Sequence, residues 1–154
     1  MTQNAAPPPS FGQAVAETAR QLRKVHHRAL ADFDTDFPTW MLFTVLTEKG
    51  GPLPVDDVVR ELGRRIDLTE PDVRQVLDRA AAEGHVRYEG HVAAEGLATA
   101  ELTGAGAARF ADVYAHARTA TDAALDGIDP ATLGSALNVL VTVEQHATAL
   151  LGER

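Results

Sequence analysis

The chain has 154 residues, no cysteine and a formal charge of −8, from 14 basic and 22 acidic side chains. That length suits one domain burying roughly 70% of the surface its unfolded chain exposes, and the missing thiols exclude disulfides and cysteine-based redox sensing. The acidic balance excludes a surface that attracts nucleic acid everywhere, so any such contact must be local, and no segment reaches the ~18 uninterrupted apolar residues of a membrane span, which points to a cytoplasmic protein.

Residues 1–9 end in three prolines and contain no core residue, so they read as a disordered or extended arm. Ser10, with Gln13 three positions on, forms a capping-box pattern for a long helix. Phe11, Val15, Leu22, Val25, Ala29 and Phe33 fall on one face of it. Arg20, Arg23, Lys24 and Arg28 lie on the outer face against one Glu17, a solvated surface, and Asp32, Asp34 and Asp36 end the run. His26 falls beside the apolar stripe while His27 points about 100° away, which is no metal-binding spacing. His26 reads either as a buried, hydrogen-bonded core residue or as a ligand contact. Asp36-Phe37-Pro38 is a cap followed by proline in a first turn, opening a helix that stops at Gly50-Gly51. Trp40, Met41, Leu42, Phe43, Val45 and Leu46 leave that helix little polar surface, so it is buried on more than one side. Trp40 and Phe37 are core residues or the wall of a ligand cavity.

From Pro54 onward the pattern is helix, tight turn, helix and two short strands. Val55, Val58, Val59, Leu62 and Ile66 make one stripe; Val73, Val76, Leu77, Ala80 and Ala81 make a second. Thr69 with Asp72 caps the second helix, and the short link through Asp67-Leu68 forces the two helices to pack at a large angle. With the apolar stripe inward, Pro71, Gln75, Asp78 and Ala82 face out, flanked by Arg74 and Arg79. Residues 85–88 and 98–102 alternate as antiparallel strands. Thr103 then caps a helix running roughly to Leu125, with Phe110, Val113, Tyr114, Ala117, Thr121 and Ala124 inward. After Gly127-Ile128-Asp129-Pro130, the last helix carries Ala136-Leu137-Asn138-Val139-Leu140-Val141-Thr142-Val143, too apolar for one wet face. It is enclosed by its own chain or paired with a second copy in a two-fold dimer; the second reading is favoured, because one small domain cannot readily enclose two long terminal helices.

Glu61-Leu62-Gly63, Val73, Leu77, Gly84-His85-Val86-Arg87, Leu102-Thr103 and Gly106 together resemble the winged helix-turn-helix of the MarR family of bacterial transcription regulators. The likeness extends over nearly the whole chain after about residue 10. It implies a mainly α fold with a small two- or three-stranded β-wing, a single domain over 10–154. Within it, 10–34 and 104–152 would be dimerisation helices and 37–102 the winged helix-turn-helix lobe. In place of the family's Asp-x-Arg wing signature the chain has Ala94-Glu95-Gly96, so the expected minor-groove arginine is missing.

A polar helix face fits the major groove, where base edges present distinct donor and acceptor patterns. The DNA-contacting residues implied are Arg74, Gln75 and Arg79 in the groove, with Thr69 at the helix start and Arg64 and Arg87 on phosphates. The other reading of these arginines is ordinary ion pairing with Asp56, Asp57, Glu61 and Asp78. The family binds effectors between its dimerisation helices and its DNA-binding lobe, which by position implicates His26, Trp40 and Tyr114 around a small apolar or aromatic molecule. The sequence contains no nucleophile beside a base, no phosphate-cradling glycine loop and no carboxylate pair at catalytic spacing, so neither an enzyme nor a cofactor is expected. The expected partners are thus operator DNA, a small effector and a second copy of the chain, with no membrane. An alternative is a protein of this fold that has lost DNA binding and binds or transforms a small molecule.

Overall fold

Short polar side chains set the helix starts by taking up amide groups that have no partner in the first turn. In the computed structural model, which describes residues 8–88 and 98–152, α1 (Phe11–Ala31) begins at Ser10, whose amide donates to Gln13 Oε1 at 2.9 Å while its hydroxyl accepts from the Gln13 amide. α2 (Phe37–Lys49) begins at Asp36, which accepts the Thr39 amide at 2.8 Å, and stops at Gly50 with φ 66°. The arm through residue 7 and the Ala94-Glu95-Gly96 segment lie outside the described residues.

The core of the first unit is built around α2, whose Leu42, Phe43, Val45 and Leu46 are all essentially inaccessible. Against it pack Val55, Val58 and Leu62 of α3 (Val55–Ile66) and Val73, Val76, Leu77 and Ala80 of α4 (Glu70–Ala82). Both expected stripes therefore face the core, with Val59, Ile66 and Ala81 half-buried at their edges. Asp67 makes the reversal between α3 and α4 in a left-handed conformation, φ 55°. The short segment β1 (Leu53–Pro54) is a third strand beside the two foreseen. It pairs Leu53 with Ala100 of β3 (Thr99–Leu102), which pairs on its other side with β2 (Val86–Tyr88), all antiparallel in the order β1-β3-β2.

α5 (Gly104–Leu125) starts against the sheet: the Thr103 hydroxyl donates to the Gly84 carbonyl at 2.7 Å and accepts the Gly106 amide at 3.0 Å. Its Val113 and Ala117 are buried and Phe110 and Thr121 half-buried, but Tyr114 and Ala124 are exposed, against expectation. The α1 stripe is likewise buried only in its second half. Ala29 is inaccessible, as is Leu30 beside it, and Leu22, Val25 and Phe33 are half-buried, whereas Phe11 and Val15 are exposed.

The chain divides into two units, Met1–Thr121 and Asp122–Arg154. The second contains α6 (Pro130–Gly152), capped by Asp129 through the Thr132 amide at 2.9 Å. α6 buries none of its residues. Leu137, Val139, Leu140, Val141 and Val143 are each between 41% and 54% exposed. No helix of the described residues is long and apolar enough to cross a membrane.

Candidate nucleic-acid interface

The lobe presents α4 outward because its apolar positions are spent on α2 and α3. Pro71, Gln75, Asp78 and Ala82 are exposed, as the helical periodicity predicts. At the start of α4, Thr69 is exposed, and its amide and hydroxyl both donate to Asp72, at 3.1 and 2.5 Å. Those two bonds hold the Asp72 carboxyl below its ordinary range.

The arginines expected at this surface are each held by a carboxylate. Arg74 donates through Nε and Nη2 to Glu70 at 2.9 and 2.7 Å, and through Nη1 to the Tyr88 hydroxyl at 3.4 Å, joining α4 to β2. Arg87 on β2 pairs across the sheet with Glu101 on β3 while remaining 68% exposed. Arg60 pairs with Asp57, and Arg64 with Glu61 at 3.2 Å. Arg65 bridges Glu48 and Glu61, which ties α3 to the end of α2. The hydrogen bond from Arg64, opposed by burial and then reinforced by Arg65 and Lys49, holds Glu61 below the usual carboxylate range.

Arg79 departs from its expected position. Its Nη2 donates to Asp36 Oδ2 at 2.6 Å and to Thr39 Oγ1 at 2.9 Å, so the side chain turns toward the start of α2 and away from the outward face of α4. The cause is local: Asp36 carries charge at the cap of α2, and Arg79 is the cation of α4 within reach. Burial opposes ionisation of Asp36, but the hydroxyl and amide of Thr39 and the Arg79 guanidinium outweigh it and keep the carboxyl below its ordinary value.

The structure thus brings Arg74, Gln75 and Arg87 onto the α4–β2 side, with Arg64 on α3 and Thr69 at the α4 start. A guanidinium has five donors, so a paired arginine can hold its carboxylate and still offer N–H groups to a phosphate. Sequence reasoning did not identify Glu70, Glu101, Glu48 and Asp36 as the partners, nor Tyr88. The only sequence signal for Tyr88 was its place in the strand alternation.

The expected effector residues separate into two sites. His26 and Trp40 meet with ring centroids 5.3 Å apart, and Phe37 lies 5.6 Å from Trp40 and 5.5 Å from His27. Thr121 donates its hydroxyl proton to the Ala117 carbonyl, so the 2.9 Å contact from His26 Nε2 is an N–H donated to the Thr121 oxygen. Burial, and then the charge of neighbouring His27, lower the His26 pKa below the ordinary imidazole value. The Trp40 Nε1–H is buried with no acceptor among the described residues. Tyr114 instead meets Phe110, with ring centroids 5.6 Å apart and the planes tilted by 41°. No group of three or more metal-ligating side chains occurs among the described residues.

No protein-family model and no curated protein matches the chain. Solved structures do. A MarR-family transcriptional regulator from Rhodococcus sp. superposes with a TM-score of 0.73 at 13% identity, covering 86% of this chain and 92% of the other. A MarR-family regulator from Silicibacter pomeroyi gives a TM-score of 0.68 at 20% identity over 86% of each chain. A MarR-family protein from Mycobacterium tuberculosis in complex with salicylic acid gives 0.68 at 20% identity, over 90% of this chain and 98% of the other. Identities this low carry the fold and no more, and on that ground the chain has the winged helix-turn-helix fold of the MarR-family transcriptional regulators.

Proposed function

We propose that the protein is a homodimeric, ligand-responsive transcription regulator that binds double-stranded DNA through α4 and its neighbours. The observation that carries this reading is the exposed face of α4, which bears Gln75, is held out by the buried Val73, Val76, Leu77 and Ala80, and is flanked by Arg74. In this reading Gln75 and Arg74 reach base edges in the major groove, where Gln suits adenine and Arg suits guanine. Thr69, Arg64 and Arg87 contact phosphates, which positions the protein without reading sequence. Arg79 instead ties α4 to the start of α2. The exposed Leu137, Leu140 and Val141 of α6 supply the apolar surface for a second copy. The His26–Trp40–Phe37 cluster, whose indole N–H lacks an acceptor among the described residues, supports a small aromatic effector bearing a hydrogen-bond acceptor. The Mycobacterium tuberculosis relative in complex with salicylic acid supports that class.

A second reading keeps the fold without DNA binding. It is favoured by one observation, that carboxylates occupy the arginines of the lobe surface. Fluorescence anisotropy with the DNA upstream of the protein's own gene, titrated in salt, separates the two. The regulator reading predicts specific binding whose slope against log salt flattens by about two phosphate contacts per dimer in Arg87→Ala. Arg74→Ala would weaken the specific site more than random DNA. No specific binding at low salt would refute it.

A further inference from the structure

A cleft of about 410 Å³ opens in the first unit between the α1–α2 corner, the last turn of α4 and the first turns of α5. That volume lies in the range of small-molecule sites, roughly 300–1,000 Å³. None of His26, Trp40 and Tyr114 lines it.

Two opposite charges face this cleft without a full counter-charge. Arg109 is half-buried; its Nη2 donates to the Phe33 carbonyl and its guanidinium lies 5.4 Å above the Phe33 ring, yet it has no carboxylate partner among the described residues. A cation withdrawn from water in this way gains from an added anion. Asp34, which follows Phe33 in the chain and also lines the cleft, has no cationic partner among the described residues, and among them Glu83 of the lining pairs with His85 at 3.3 Å. Arg79 and Asp36 neutralise one another, so the walls offer one available cation and a small surplus of negative charge. A simple anion meets Asp34 and Glu83, and a simple cation leaves Arg109 uncovered. A molecule carrying both charges satisfies both.

We propose that this cleft binds a small zwitterion of the amino-acid class. Its carboxylate lies on Arg109, its ammonium on Asp34 and Glu83, and its side chain faces the Phe43 wall. The occupant touches α4, α5 and the α1–α2 corner together. If the protein is the regulator proposed above, and only then, binding there biases the position of α4 and with it DNA affinity.

Binding is tested on the full chain without DNA, by thermal shift and calorimetry with the standard amino acids at millimolar concentration. For any that binds, the analogues lacking its amine or its carboxylate follow. The expected result is saturable binding to at least one amino acid, weakened about tenfold or more by loss of either ligand charge. Arg109→Gln and Asp34→Asn abolish it, Arg109→Lys retains part of it, and His26→Ala leaves it unchanged. Asp34 is exposed, so Asp34→Asn remains informative should Arg109→Gln fail to fold. The assignment is overturned if no amino acid binds, if a deaminated analogue binds as tightly as its parent, or if Asp34→Asn binds normally. Binding that leaves DNA affinity unaltered would keep the site and remove its regulatory role.

Discussion

Replacing Gly106 by alanine tests how α5 is seated on the sheet. A Cβ at this position would lie 1.9 Å from the His85 carbonyl oxygen, 2.8 Å from its carbon and 3.2 Å from its Cα. Ordinary contact begins near 3.4 Å, so β2 and the start of α5 would have to part by about 1.5 Å. They are fastened there by the Thr103 amide on the His85 carbonyl at 3.0 Å and by the Thr103 hydroxyl on the Gly84 carbonyl and Gly106 amide. Losing two such bonds costs about 2 kcal/mol, and the displaced packing adds about 1–3 kcal/mol. Alanine's helix preference returns about 1 kcal/mol. The net loss is about 2–4 kcal/mol, which for a chain of this size lowers Tm by roughly 5–15 °C. Circular-dichroism melts and urea titrations with an unchanged m-value read this directly. Gly104→Ala is the matched control, since a Cβ there meets nothing within 4 Å, and it should be neutral or slightly stabilising. If Gly106→Ala melts within about a degree of the parent, the account of this junction is wrong.

Three further outcomes follow from groups already described. His26 has its pKa lowered by burial and then by His27, so below about pH 6.5 the unfolded chain takes up a proton that the folded chain resists. Urea midpoints should therefore fall as pH drops from about 6.5 through the lowered value and level off beneath it, and His26→Gln should flatten that dependence. Asp36→Ala should cost about 1–2 kcal/mol by removing the cap on Thr39 and the tie to Arg79, while Asp36→Asn keeps most of the cap. The part of stability that depends on the Asp36 charge is present above its ordinary value and lost only as pH falls through the lower folded one, so acid titrations of parent and Asp36→Asn should diverge above that point and converge below it. Leu137→Glu with Leu140→Glu should convert a dimer to a folded monomer in sedimentation velocity; a monomeric parent, or an unaltered double variant, would remove the proposed role of α6.

What the sequence disclosed depends on how far apart the interacting residues stand. The Ser10–Gln13 and Thr69–Asp72 pairs, the all-round apolar α2 and the buried stripes of α3 and α4 are local in the chain, so periodicity and spacing were enough to find them. Arg79 was assigned to the flank of the outward face of α4, and from there to the major groove, because helical geometry allows it there. Its actual partner, Asp36, is 43 positions away and becomes a neighbour only when α4 crosses the start of α2. The Arg74–Tyr88 contact and the seat of Arg109 over Phe33 depend in the same way on packing between elements. β1 escaped notice because two residues ending in proline give no alternation to read. Tyr114 and the first turns of α1 were placed inward by their helical stripes, which identify an apolar face and cannot say what covers it.

The central place of β3 has a consequence for how such a protein diversifies. With β1 on one edge and β2 on the other, Tyr88 is held by its pairing with Ala100, and Ala98 is held by the Val55 amide on its carbonyl at 2.9 Å. A change of chain length between these two fixed ends therefore leaves the three-stranded sheet and its tie to α3 in place.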